Sequence, residues 1–136
     1  MSIFLVLSFN KCLKFAVLIS DVKDVAKSHV ACIGNKKVGG RRLIVGKEVK
    51  KLVELSQIMA EAMPEYAKKV PKKELPNFMV KLISYIDSSA KTMIPDLGIM
   101  MQTDSTYAED LLGLKFKGAK DCISENAKSV VKLGLV

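Results

Sequence analysis

Tryptophan is absent from these 136 residues, histidine occurs once, at His29, and arginine only as the pair Arg41 and Arg42. Each scarcity excludes something. A single imidazole leaves general acid–base work to carboxylates. Two arginines among 22 basic residues leave little for bidentate base reading, because lysine acts on phosphate as a point charge. Aromatic residues make up 6% of the chain and do not interleave with its basic stretches, so single-strand base stacking lacks a platform. Cys12, Cys32 and Cys122 are odd in number and far apart, unlike the cysteines of a disulfide-dense secreted scaffold, and reduced thiols are expected. Removal of the N-terminal segment would leave Cys32 and Cys122 as a pair able to close a long loop. No Asn-x-Ser/Thr site marks an extracellular address. The compartment is left open, with an intracellular one favoured over secretion.

What is present is a folded composition: 49% hydrophobic and 26% charged residues, with a formal net charge of +8. That balance and length fit a single domain spanning 1–136, with enough buried surface for its own core. The positive charge is concentrated in Lys36, Lys37, Arg41, Arg42, Lys47, Lys50 and Lys51, and again in Lys68, Lys69, Lys72 and Lys73. Clustered cations attract anionic partners. At the N-terminus, Ile3 to Leu7 and Phe15 to Ile19 are apolar runs split by Lys11 and Lys14. Two central lysines cost about 2.5–3.5 kcal/mol each in a membrane helix, so no transmembrane span is expected, and charge inside the run is wrong for a secretory signal.

Apolar residues recur at helical spacing along most of the chain. Phe15, Ile19, Val22, Ala26, Val30 and Ile33 line one face of an expected first helix, which Gly34-Asn35 stops. A glycine-containing loop leads to a second helix over about Lys47 to Ala67, with Val49, Leu52, Val53, Leu55, Met59, Ala60 and Met63 as its stripe and Pro64 near its end. Pro76 opens a third, carrying Met79, Leu82, Ile83, Ile86, Ala90 and Met93. Thr106 and Glu109 have capping-box spacing before a short helix closed by Gly113, and a last helix runs from about Ala119 to Leu133. The expected fold class is all-α: an irregular bundle of four to five amphipathic helices with an apolar N-terminal segment.

Motifs of chemistry are sparse. Gly40 to Lys47 has phosphate-loop flavour, but its glycine spacing is wrong and Glu48 stands where Ser or Thr should follow the lysine. His29 and Cys32 lie three apart and supply only two metal ligands, without a second pair to complete a tetrahedron. Their use as a thiol–imidazole dyad lacks an orienting group. Glu54, Glu61, Glu65, Asp87, Glu109 and Asp110 fit solvated helix faces rather than a paired catalytic site. No catalytic residue, metal or cofactor is therefore expected.

The methionines gather in the central third, and flexible thioethers suit adaptable apolar sites. The expected function is a non-enzymatic binding protein for an apolar or anionic amphiphilic ligand, a membrane surface or a partner helix. The basic residues named above would contact the anion, and Met59, Met63, Met79, Ile83, Ile86 and Met93 the apolar part. Alternatives are nonspecific nucleic-acid or phosphate binding, and a structural subunit of a larger assembly in which Ile3 to Leu7 packs on another chain.

Overall fold

The computed structural model describes residues 11–85, 91 and 94–135. The apolar N-terminal run Ile3 to Leu7, Ile86 and Met93 lie outside the described residues. Elements follow in the order β1 (Lys11–Cys12), β2 (Ala16–Ile19), α1 (Val22–Cys32), β3 (Glu48–Lys51), α2 (Leu52–Ala62), β4 (Lys73–Glu74), α3 (Asn77–Ile83), α4 (Thr106–Leu112) and α5 (Ala119–Lys132). The architecture is mixed α/β, which corrects the all-α expectation.

The correction arises where strands run directly into helices. Residues 16–19 share the helical register of α1, yet they are extended and pair antiparallel with residues 48–51, matching Ala16 to Lys51 and Ile19 to Glu48. Pairing of this kind satisfies backbone donors and acceptors with a partner some thirty residues away, which a local apolar period cannot reveal. A second ladder joins β1 to β4 in parallel, Lys11 opposite Lys73 and Cys12 opposite Glu74.

Two tight contacts hold the strands in place. Gly46 lies against the end of β2 so closely that an added Cβ would sit 2.8 Å from Leu18 Cγ and 2.9 Å from Ile19 O. Leu75, just past β4, donates its N–H to Cys12 O at 2.7 Å. The core grows around that second contact: Leu13, Leu75 and Val80 are buried together, with Phe15, Leu52, Met79, Ile83 and Leu97 packed against them. Strand ends and the first turn of α3 thus meet in one cluster. Beside it, α2 packs along α5.

The helices end as their sequences require. Asp21 caps α1 by accepting from Lys23 N at 2.7 Å. Gly113 closes α4 at φ 66°, the left-handed conformation that glycine adopts without a Cβ penalty. Thr106–Glu109 is not a capping box: Ser105 is the N-cap, and Glu109 points elsewhere. None of the described helices is long and apolar enough to cross a membrane.

Candidate functional site

Three features stand out: a carboxylate-held loop, an apolar groove, and an apolar helix face turned to solvent. The loop precedes α5. Glu109 accepts from Phe116 N at 2.7 Å, Asp24 from Lys117 N at 2.7 Å, and Glu48 from Ala119 N at 3.3 Å. Three carboxylates from α4, α1 and β3 thereby hold consecutive parts of one segment, and Glu48 supplies the cap that Gly118, at the start of α5, lacks.

Lysines complete this set. Lys47 meets Glu109 at 2.7 Å, Lys50 meets Glu48 at 3.0 Å, and Lys117 bridges Asp21 at 3.0 Å and Glu125 at 2.9 Å. Hydrogen bonds from these lysines are the main cause that holds the carboxyls of Asp21, Glu48, Glu109 and Glu125 below their ordinary range. Its two carboxylate partners push Lys117 upward in turn.

A pH dependence follows from these directions. A carboxyl with a depressed folded-state pKa adds stability above its unfolded value, and that contribution disappears as pH falls through the folded value. The urea midpoint is expected to stay level from neutral pH to about 5 and to fall below about 4, the unfolded carboxylate range. A midpoint unchanged down to pH of about 3 would count against these ion pairs.

The groove lies between α2 and α5 and has a volume of ≈ 510 Å³, in the range of small-ligand clefts. Leu52, Leu55, Met59, Met63, Val130 and Val131 are among the residues of its wall. Its few polar groups are already engaged. Ser56 donates to Leu52 O at 3.0 Å, and Lys69 stands 5.3 Å from the Tyr66 ring centre. Burial pushes the Cys12 thiol up, so it stays protonated and poorly nucleophilic at neutral pH. Among the described residues, the groove offers shape and apolar surface without a nucleophile–base pair.

The structure brings only some of the sequence-expected site residues together. Met59 and Met63 line the groove, whereas Met79 and Ile83 pack on the core cluster around Leu75. The basic residues are distributed over several elements. Lys36 and Lys37 form a short 3-10 turn, Arg41 donates to Lys37 O at 3.0 Å and to Tyr107 OH at 2.7 Å, and Arg42 follows in an irregular segment. Lys47 and Lys50 are in the ion pairs above, while the backbone N–H of Lys51 donates to Glu54 at 2.7 Å. Lys68 and Lys69 lie in a turn, Lys72 in a loop and Lys73 in β4.

His29 and Cys32 assemble no metal site: His29 Nδ1 lies 2.8 Å from Val25 O, so that nitrogen carries the proton. No group of three or more potential metal ligands occurs among the described residues. Glu109, expected on a solvated face, is instead the partly buried anchor of Lys47 and Phe116.

The third feature inverts the expected packing of α1. Its stripe of Val22, Ala26, Val30 and Ile33 faces solvent, while Asp24 and Ser28 are buried. Sequence reading missed this because the partner of Asp24 is 93 residues away.

No protein-family model matches the chain, and the curated proteins contain no match to it. Among solved structures, Gre2 from Candida albicans in complex with NADPH superposes with a TM-score of 0.62 at 19% identity, covering 92% of this chain and 34% of that one. A second Gre2 structure from Candida albicans gives 0.61 at 20% identity, with coverages of 92% and 35%. This chain spans about a third of the length of the solved chains it matches. The likeness corrects the expected function along with the fold. The non-enzymatic binding reading, with its nucleic-acid and structural-subunit alternatives, assumed a free-standing helical bundle, and the fold found instead is one that recurs within NADPH-binding Gre2.

Proposed function

We propose that this chain forms the substrate-side portion of an NADPH-dependent reductase, beside the portion that binds the coenzyme. The observation that carries the reading is the asymmetric likeness to the NADPH complex of Gre2: nearly all of this chain corresponds to only a third of that one. The chain's own residues support its placement on the side away from the coenzyme. Dinucleotide binding on an α/β fold uses a Gly-x-Gly-x-x-Gly turn between a parallel strand and a helix, where backbone N–H groups approach the pyrophosphate. Here Gly34, Gly39, Gly40 and Gly46 do not have that spacing, and the only parallel ladder among the described residues joins two-residue strands.

The reaction class follows from NADPH, which delivers hydride to an electrophilic carbon such as a carbonyl. In such an arrangement the coenzyme-binding portion holds the donor. The present chain shapes and desolvates the space for the acceptor. Its ion-paired loop at residues 114–118 and its core cluster give that wall a fixed geometry.

Titration of NADPH into the isolated chain, followed by nicotinamide fluorescence, tests the division of labour. No saturable change is expected. In a hybrid where this chain replaces the matching third of Gre2, NADPH binding should return, and NADPH consumption should appear with members of an aldehyde and ketone panel. Saturable NADPH binding by the isolated chain would overturn the reading, as would a folded, NADPH-binding hybrid that is silent across the panel.

A further inference from the structure

We propose that the outer face of α3, together with the exposed run Ile99 to Met101, is a docking surface for an anionic lipid bilayer. The seven residues of α3, Asn77 to Ile83, carry one charge, Lys81. The inner side of the helix is spent on the core: Val80 is buried, and Met79 and Ile83 pack against the cluster around Leu75. Its outer side is apolar as well. Phe78 is 69% exposed, Leu82 66% and Tyr85, on the turn that continues the helix, 89%. Positions 78, 82 and 85 share a helix face, and a helix that is apolar all round is ordinarily covered all round.

A second stretch of chain widens this surface. Residues 94–98 run back along α3, from Ile94, which lines a depression with Ser84 and Tyr85, to Gly98, whose added Cβ would lie 3.8 Å from Asn77 Nδ2. Leu97 packs on the same core cluster as Ile83, and Gly98 donates its N–H to Lys14 O at 2.8 Å. Ile99, Met100 and Met101 follow directly and are exposed. The patch is thus built from two segments that shared core contacts hold side by side, and a contiguous apolar surface of this kind marks an interaction site.

Charge decides the occupant. Lys81 and Lys91 line the depression beside Tyr85, and Lys14 and Lys51 line another beside Ile99 and Met100. None of these four lysines is in an ion pair among the described residues. From Leu75 to Thr103, Asp96 is the one acid among the described residues. An apolar centre with ammonium groups on two sides matches an acidic phospholipid leaflet: aromatic and aliphatic side chains enter the headgroup boundary while lysines reach the anionic headgroups. Flexible methionines suit that irregular boundary. Seven residues cannot cross a bilayer, so the contact is with its surface. It goes beyond the reductase reading and does not depend on it.

Co-sedimentation of the full chain with phosphatidylcholine vesicles, made with and without phosphatidylserine, tests the surface. Binding is expected with phosphatidylserine present, and it should weaken when that lipid is left out and when added salt screens the lysines. Phe78→Ser combined with Leu82→Ser should abolish it. Lys81→Gln combined with Lys91→Gln should weaken it about 25-fold, at about fivefold for each lysine. Lys120→Gln on α5, outside the patch, should leave it near the parent value. The substituted side chains are exposed, so far-ultraviolet circular dichroism of every variant should match the parent.

The proposal is overturned if the chain does not bind phosphatidylserine vesicles, or binds both vesicle types equally. Binding that survives the Phe78 and Leu82 changes would also overturn it, as would a loss from Lys120→Gln as large as that from the Lys81 and Lys91 changes. Light scattering addresses a second copy as the occupant: a dimer of the parent chain that Phe78→Ser with Leu82→Ser dissolves would assign the patch to self-association and overturn the membrane contact.

Discussion

Leu75→Ala is expected to remove about 2–5 kcal/mol of folding stability, the range for deleting a fully buried leucine side chain and leaving a cavity. Leu75 is 1% exposed and belongs to the same buried cluster as Leu13 and Val80. Its backbone is pinned as well, because its N–H donates to Cys12 O at 2.7 Å beside the β1–β4 ladder. A wall fixed in this way collapses poorly around a void, which favours the upper part of the range. Total stability of a small domain is only about 5–15 kcal/mol, so the loss is a large fraction of the whole. Urea unfolding followed by far-ultraviolet circular dichroism measures it. Leu82→Ala on the exposed side of α3 is the comparison: Leu82 is 66% exposed, and its change should stay within about 0.5 kcal/mol. Similar losses for both substitutions would mean that the cluster around Leu75 is not the core.

Gly46→Ala should cost about 1–3 kcal/mol through overpacking. The added methyl would meet two atoms of the Leu18 side chain, Cγ at 2.8 Å and Cδ1 at 2.9 Å, and the backbone oxygen of Ile19 at 2.9 Å. Leu18 can rotate aside, but Ile19 O belongs to the strand and accepts from Lys47 N at 3.3 Å, so part of the clash must be absorbed by backbone. The β2–β3 ladder is the element placed at risk. A double-mutant cycle separates the two contributions: Leu18→Ala combined with Gly46→Ala should lose less than the sum of the single losses, with a coupling of about 0.5 kcal/mol or more. Strict additivity would show that side-chain crowding is not the cause. Gly113→Ala offers a contrast, because nothing lies within 4 Å of its added Cβ and its cost, about 1–2 kcal/mol, comes from the left-handed backbone alone.

Much of the helical structure was legible from local pattern. The stop at Gly113, the opening of α3 after Pro76 and the span of α5 follow from residues whose preferences act over one or two turns. The strands were not legible. Ala16–Ile19 and Glu48–Lys51 are four-residue segments whose apolar residues continue the helical period of the helices they precede, and the ladder that makes them strands forms between the two. The candidate site was legible only in fragments. Met59 and Met63 were identified as apolar contacts and do line the groove, but the binding class assigned to them fell with the bundle. The carboxylates that organise the loop before α5 gave no local signal, since Glu48 reaches Ala119 across 71 positions and Glu109 reaches Lys47 across 62.

The amino-acid order by itself determined where the helices before Gly34 and Gly113 stop, and that its acidic and basic groups are numerous enough to pair. Those properties depend on composition and on interactions within a turn. Tertiary structure alone decided that two helical-looking segments become paired strands and that α1 presents its valines to the outside. The physical reason is the same in both cases: backbone groups at β2 pair with β3, and the carboxylates of Asp21 and Asp24 meet Lys117, partners brought from far along the chain, and those bonds outweigh the local preference to turn every apolar stripe inward.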